Sequence, residues 1–150
     1  MTSASVPLVN ARADRVVLAH GGGGQLMDEL LEELIRPRLA NPTLDSMDDA
    51  AVGALGADRL AFTTDAYVVQ PLTFPGGDIG RLAVCGTVND LAVCGADPKW
   101  ISLALIIEEG FATDELGAIL DSVAAAADEA GVDIVTGDTN VVAHGQADGL

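Results

Sequence analysis

The 150-residue chain carries 23 acidic against 7 basic residues, a formal charge of −16, and 49% of it is hydrophobic. Such a surface repels a phosphate backbone, which argues against a nucleic-acid partner, while the apolar content suffices for the core of one domain of ordinary size. No uninterrupted apolar stretch reaches the length of a membrane span, and "MTSASVPLVNARADR" lacks the basic start and apolar centre of a secretory signal, so no membrane partner and a cytoplasmic location are expected.

Residues 1–15 read as a flexible N-terminal arm, and the domain proper is expected over 16–150. "RVVLAH" predicts a short strand or extended segment leading into "HGGGGQLMDELL". Four consecutive glycines are entropically costly unless the backbone needs positive φ or close approach to something. From Gln25, the positions Leu26, Leu30, Leu31, Leu34 and Ile35 follow helical spacing, and Pro37 ends that helix or falls in its last turn.

Two strands, "AAVGAL" and "RLAFTTD", are expected on either side of "GAD". "PLTFPGGD" is turn chemistry, and Asp78 is placed to cap the helix "IGRLAVCGTVNDLAVCG", which is apolar nearly all round and therefore expected to be central. Cys85 and Cys94, nine positions apart within it, have neither zinc-ligand nor disulfide spacing and read as small buried hydrophobes. "WISLALII" lacks alternation and predicts a strand buried on both faces. Thr113 is expected to cap a second helix running to about Ala130, where Gly131 stops it; "VDIVT" is a last strand, and "GDTNVVAHGQADGL" reads as a trailing loop or the start of another strand, with His144 at the surface. Strands interleaved with helices imply an α/β or α+β sandwich, a mixed sheet with helices on one face.

The aspartates punctuate these elements. Asp48 and Asp49 open a strand, Asp65 closes the next, Asp90 sits on the apolar helix and Asp138 follows the last strand. Taken singly, each has a structural reading as a cap or turn residue, except Asp90, because an acid in an apolar helix needs a partner. Carboxylates gathered at one site would repel unless cations neutralise them, and hard oxygen ligands of this kind suit magnesium shared with phosphate. Gly21, Gly22, Gly23 and Gly24 before a helix N-terminus are either a flexible loop or an anion site. Together the two features describe nucleoside triphosphate binding, although neither the Walker pattern nor the dinucleotide fingerprint is present.

In order, "HGGGGQLM", "DDAAV", "LAFTTDAYVVQPLTFPGGDIGRLAVCGTVNDLAVCGA", "IIEEGF" and "IVTGDTNVV" resemble the N-terminal domain of the HypE family of hydrogenase maturation factors, within the AIR synthetase (PurM-like) superfamily. The resemblance implies a carbamoyl dehydratase: ATP phosphorylates the oxygen of a carbamoyl group held as a thioester on a C-terminal cysteine, and loss of phosphate leaves a thiocyanate, the source of cyanide for nickel-iron hydrogenase. It implies ATP and Mg2+ as cofactors, with Asp48 or Asp49, Asp65, Asp90 and Asp138 as metal ligands. Gly21 to Gly24, with Asp65, Asp90 and Asp138, would then bind the nucleotide. It also implies a homodimer whose sheets close into a barrel, with HypF and the HypC–HypD complex as partners.

Two features depart from that family. The sequence stops where the family continues into a second domain, so the expectation is that these residues alone do not complete the reaction and contain no catalytic residue of their own. Asn140 follows "GDT", where the family usually has lysine, and a neutral amide cannot supply the same charge. Two other readings stand beside the enzyme: a non-catalytic dimerisation or docking module, and another ATP-dependent kinase of the superfamily.

Overall fold

The computed structural model describes residues 15–39 and 41–150. The expected arm, residues 1–15, lies outside them but for Arg15. The chain divides into two compact units, one ending at Ser46 and the other running from Met47 to Leu150.

In the first unit, "RVVLAH" forms no strand: Val17 is extended, the other reading of this segment, and Leu18–Gly21 then makes a 3-10 turn. The His20 side chain explains it: Nδ1 accepts the Val17 N–H at 3.0 Å, and the His20 amide donates to the Val17 carbonyl at 2.9 Å, which closes a local turn. The glycines follow, and then α1 (Gln25–Leu30), a π-helical turn (Leu31–Ile35) and α2 (Arg36–Leu39). Pro37 falls in the last turn, as expected. Lacking an N–H and crowding the carbonyl four residues back, proline favours the wider π register just before it. Arg36 pairs with Glu32 and reaches Asp45 at 3.7 Å.

The second unit opens with an antiparallel hairpin, β1 (Ala51–Leu55) and β2 (Asp58–Phe62), turning at Gly56, whose φ is +63°. β2 stops at Phe62, so Asp65 lies in an irregular segment three residues beyond the strand and does not close it. A minimal hairpin, β3 (Thr73–Phe74) with β4 (Gly77–Asp78), delivers the chain to α3 (Ile79–Val93). Asp78 caps α3 as expected, accepting the Arg81 N–H at 2.8 Å. β5 (Trp100–Glu108), α4 (Thr113–Ala130) and β6 (Asp133–Val142) form a parallel pair of strands joined by a helix. The class is α+β, with parallel and antiparallel pairs distributed over three two-stranded sheets.

The core lies where these helices meet β5. α4 presents Ile119, Val123, Ala126 and Ala127 on one face at helical spacing, and Val84 of α3, Ile101 of β5 and Val132 complete the cluster. Gly80 lets α3 approach α4: a Cβ there would stand 2.5 Å from the Ile119 carbonyl oxygen and 2.9 Å from Val123 Cγ2. Gly131, at φ +69°, ends α4 in the left-handed conformation expected of it.

Four expectations are corrected here. Thr113 is the first helical residue of α4, and no side chain caps the helix. Cys85 is exposed and Cys94 half-buried, because Cys85, Asn89 and Ala92 form the stripe of α3 turned away from the core. β5 alternates: Ile101 is buried and Leu103, Leu105 and Ile107 are half-buried, whereas Trp100 and Ile106 are exposed. β6 runs through "GDTNVV" instead of stopping at Thr136, because β5 offers it paired positions as far as Glu108.

The segment after β6 is tied down at Glu108. Its carboxylate accepts the Gly145 N–H at 3.0 Å and pairs with His144 at 2.7 Å, while its own N–H donates to the Gly149 carbonyl at 2.8 Å. These contacts, the Gly145 amide foremost, hold the Glu108 carboxyl below its ordinary pKa against the opposing effect of burial.

Candidate functional site

Three of the expected carboxylates converge. Thr63, just past the end of β2, has its hydroxyl 2.9 Å from the Asp49 carbonyl and 3.4 Å from Asp90 Oδ2, linking the start of the hairpin to α3. Asp90, half-buried on α3, has a pKa raised above the ordinary aspartate value. Burial is the largest cause, then the charge and hydrogen bonding of Asp65, then the charge of Asp49; the Thr63 hydroxyl opposes them. Asp90 is thus the acid in an apolar helix that sequence reasoning singled out, and its neighbours are further acids.

Asp65 is braced from the other side. Tyr67 Oη donates to Asp65 Oδ2 at 3.0 Å and lies 3.4 Å from Thr87 Oγ1, on the turn of α3 that precedes Asp90. Burial, followed by contributions from Asp65 and Asp90, raises the Tyr67 pKa against the effect of Thr87 and keeps the phenol a donor. Asp65, Tyr67 and Thr87 line a cavity of about 660 Å³ whose walls also include Val84, Ile101 and Ile119.

The remaining candidates are held by other contacts. Asp48 is exposed, and the member of the pair whose charge reaches Asp90 is Asp49. Asp138 is within β6, opposite Ala104, and its carboxylate accepts the Asn140 amide at 2.8 Å. Gly137 precedes it where the strands come so close that a Cβ would strike the Leu103 carbonyl oxygen. The glycine run belongs to the first unit: Gly23 has φ +69°, and the Gly24 carbonyl accepts the Met27 and Asp28 amides at 2.9 and 3.1 Å. A side chain at Gly21, Gly23 or Gly24 would meet open space.

Among the described residues, no three His, Cys, Asp or Glu side chains are placed to hold a metal ion by themselves. Magnesium does not require that, since it usually takes one or two carboxylates and completes its shell with water and phosphate oxygens. The donor set fits: hard oxygens, with Asp90 raised in pKa first by burial and then by Asp65 and Asp49, and a cation would relieve the part that the neighbouring acids contribute. Sequence reasoning missed Thr63, Tyr67 and Thr87. The available signal was the single tyrosine of the chain, two residues after Asp65 and inside an otherwise small-residue loop.

Comparison with known proteins agrees with this architecture. Residues 47–150 match the family described as AIR synthase related protein, N-terminal domain, and the match begins at the first residue of the second unit. A carbamoyl dehydratase HypE of Rhodobacter capsulatus is 54% identical over 142 residues, which cover 93% of this chain and 42% of that protein. Among solved structures, a HypE–HypF complex superposes with a TM-score of 0.74 at 50% identity, covering 80% of this chain and 38% of the other. A HypE in complex with ATP superposes with a TM-score of 0.61 at 46% identity, covering 90% and 40%. The chain therefore spans less than half the length of the relatives it matches. With its α3–α4 layer, its β5–α4–β6 unit and the match across both, the chain belongs to the AIR synthase related family, as the N-terminal domain of that fold.

Proposed function

We propose that this chain is the nucleotide-binding and dimerisation half of a HypE-type carbamoyl dehydratase, and that Asp49, Asp65 and Asp90 hold Mg2+ against the phosphates of ATP. The observation that carries this reading is the linkage at Thr63, whose hydroxyl lies 2.9 Å from the Asp49 carbonyl and 3.4 Å from Asp90 Oδ2, with the Asp65 and Asp49 charges acting on Asp90. Magnesium, when bound, would neutralise charge between the triphosphate and the carboxylates and polarise the phosphoryl group. The chain's own contribution is to bring oxygen donors from three segments together, with Asp65 also lining the apolar cavity and Thr63 and Tyr67 hydrogen-bonding to this group. Asp138 and Gly21 to Gly24 are assigned to the nucleotide by motif. A homodimer with its sheets closed into a barrel, and HypF and HypC–HypD as partners, belong to the same reading. The HypF complex of a relative supports the first of those partners.

Calorimetric titration tests this. ATP should bind the 150-residue chain in the presence of magnesium and lose most of its affinity with chelator, and Asp90→Lys should abolish the magnesium-dependent part. Equal ATP affinity with magnesium and with chelator would overturn the reading. If Asp90→Lys kept a partner protein bound while wild-type nucleotide binding was absent, the docking-module reading would replace it.

A further inference from the structure

The carboxylate that most raises the charge around Asp90 sits on backbone that no strand holds. Residues 63–69 have neither helix nor strand partners, so the direction of the Asp65 side chain must be fixed by side-chain contacts. Besides its interaction with Asp90 itself, the contact that does so is Tyr67. Its hydroxyl carries one proton, which it gives to Asp65 Oδ2 at 3.0 Å; the Thr87 hydroxyl at 3.4 Å is then the group that can donate to the phenol oxygen. The result is a directed chain, Thr87 to Tyr67 to Asp65, running from a helix to a loop.

The seat for the ring is built into α3. A Cβ at Gly86 would fall on the Tyr67 hydroxyl oxygen and lie 2.8 Å from Cζ and 3.0 Å from Cε1. Glycine in a helix interior costs about 1 kcal/mol relative to alanine, and nothing in the helix itself requires it at this position. What it provides is room for the phenol to lie against the turn of α3 that precedes Asp90. Gly86, Thr87 and Asp90 therefore place the tyrosine and the central carboxylate on one rigid element, and the tyrosine carries that rigidity to Asp65.

We propose that Tyr67, seated against Gly86, is a positioning residue that holds the Asp65 carboxylate beside Asp90 so that a divalent cation finds both together. The proposal rests on the reading of these carboxylates as the metal and nucleotide site. A tyrosine serving only the fold would contribute through its ring, which fills part of the cavity wall; a positioning tyrosine contributes through its hydroxyl. Tyr67→Phe separates the two, because it keeps the ring and removes the one donor.

The measurement is the magnesium concentration that half-saturates ATP binding to the 150-residue chain, together with ATP affinity at saturating magnesium and the thermal midpoint. Hydrogen-bond partners behind metal ligands typically account for 10–100-fold in metal affinity. Tyr67→Phe should raise the half-saturating magnesium concentration about tenfold, leaving ATP affinity at saturating magnesium and the midpoint close to wild type. Gly86→Ala, which displaces the ring, should raise the half-saturating magnesium concentration likewise and also lower the midpoint, and Thr87→Val should give a smaller rise at an unchanged midpoint. An unchanged magnesium requirement in Tyr67→Phe, alongside a raised one in Asp65→Asn, overturns the positioning role and leaves the site reading intact. A lowered midpoint with an unchanged magnesium requirement also overturns it, in favour of a structural tyrosine. If wild type binds ATP without regard to magnesium, or Asp65→Asn matches wild type, the site reading itself fails and the proposal falls with it.

Discussion

At the scale of single residues, the carboxylates of this chain fall into two kinds that the sequence does not distinguish. Glu108 is surrounded by donors and Asp90 by acids, and their pKa values move in opposite directions. Glu108 supports a stability prediction because its folded-state pKa is lowered, by the Gly145 amide first and by His144 after it. A lowered carboxyl pKa contributes stability that is complete above the unfolded value, about 4.3 for glutamate, and is lost as pH falls through the folded value. Glu108→Gln should therefore lower the melting midpoint near pH 7, and the gap from wild type should close on acidification through about pH 4 and below. Parallel melting profiles across the acid range would show that Glu108 does not anchor the segment after β6. Of the two residues, only Asp90 was legible in advance. An acid in the middle of "LAVCGTVNDLAV" contradicts its surroundings, whereas Glu108 looks like one more acid at a strand end.

Among the elements, glycine placement decides how closely neighbours approach, and two glycines in adjacent helices make opposite predictions. Gly80 in α3 faces the Ile119 carbonyl oxygen at 2.5 Å from a would-be Cβ, whereas Gly117 in α4 would turn a Cβ into open space. Gly117→Ala should stabilise by up to about 1 kcal/mol, the helix-propensity difference. Gly80→Ala gains the same propensity but must push α3 from α4, an overpacking cost of about 1–3 kcal/mol, so it should destabilise on balance. Urea unfolding of both variants measures the contrast, and a common sign would contradict the packing described here. The helices were legible from caps, stop signals and apolar spacing: Asp78 and Gly131 do what their chemistry predicts. The strands were less so. "GDTNVV" has the composition of a turn yet extends β6, because β5 supplies it with partners far along the chain, and pairing with a distant segment leaves little local trace. The turn that closes "RVVLAH" was hidden for the converse reason, since one histidine side chain supplied a local bond that apolar content could not announce.

For the whole molecule, the unresolved question of composition is why so acidic a chain shows so much apolar surface. Leu60, Phe62, Trp100 and Val135 are all more than half exposed and line one groove of about 710 Å³ in the second unit. "WISLALII" predicted a strand covered on both faces, and the described residues cover one. That expectation is not met by the described residues, and the apolar face left open calls for a cover. In the proposed homodimer that cover is another copy of the chain. Burying a large apolar side chain contributes about 1.5–3 kcal/mol, and loss of a central aromatic at an interface commonly costs 2 kcal/mol or more, on the order of 30-fold in dissociation constant. The opposing force is the charge of −16 on each copy, which salt screens over about 10 Å at 0.1 M. Sedimentation equilibrium should thus find a dimer that tightens as salt is raised, and Trp100→Glu should shift it to monomer at the same salt with its circular dichroism unchanged. Dimerisation that weakens with salt would instead assign the contact to ion pairs, and a Trp100→Glu variant that remained dimeric would move the interface off this groove.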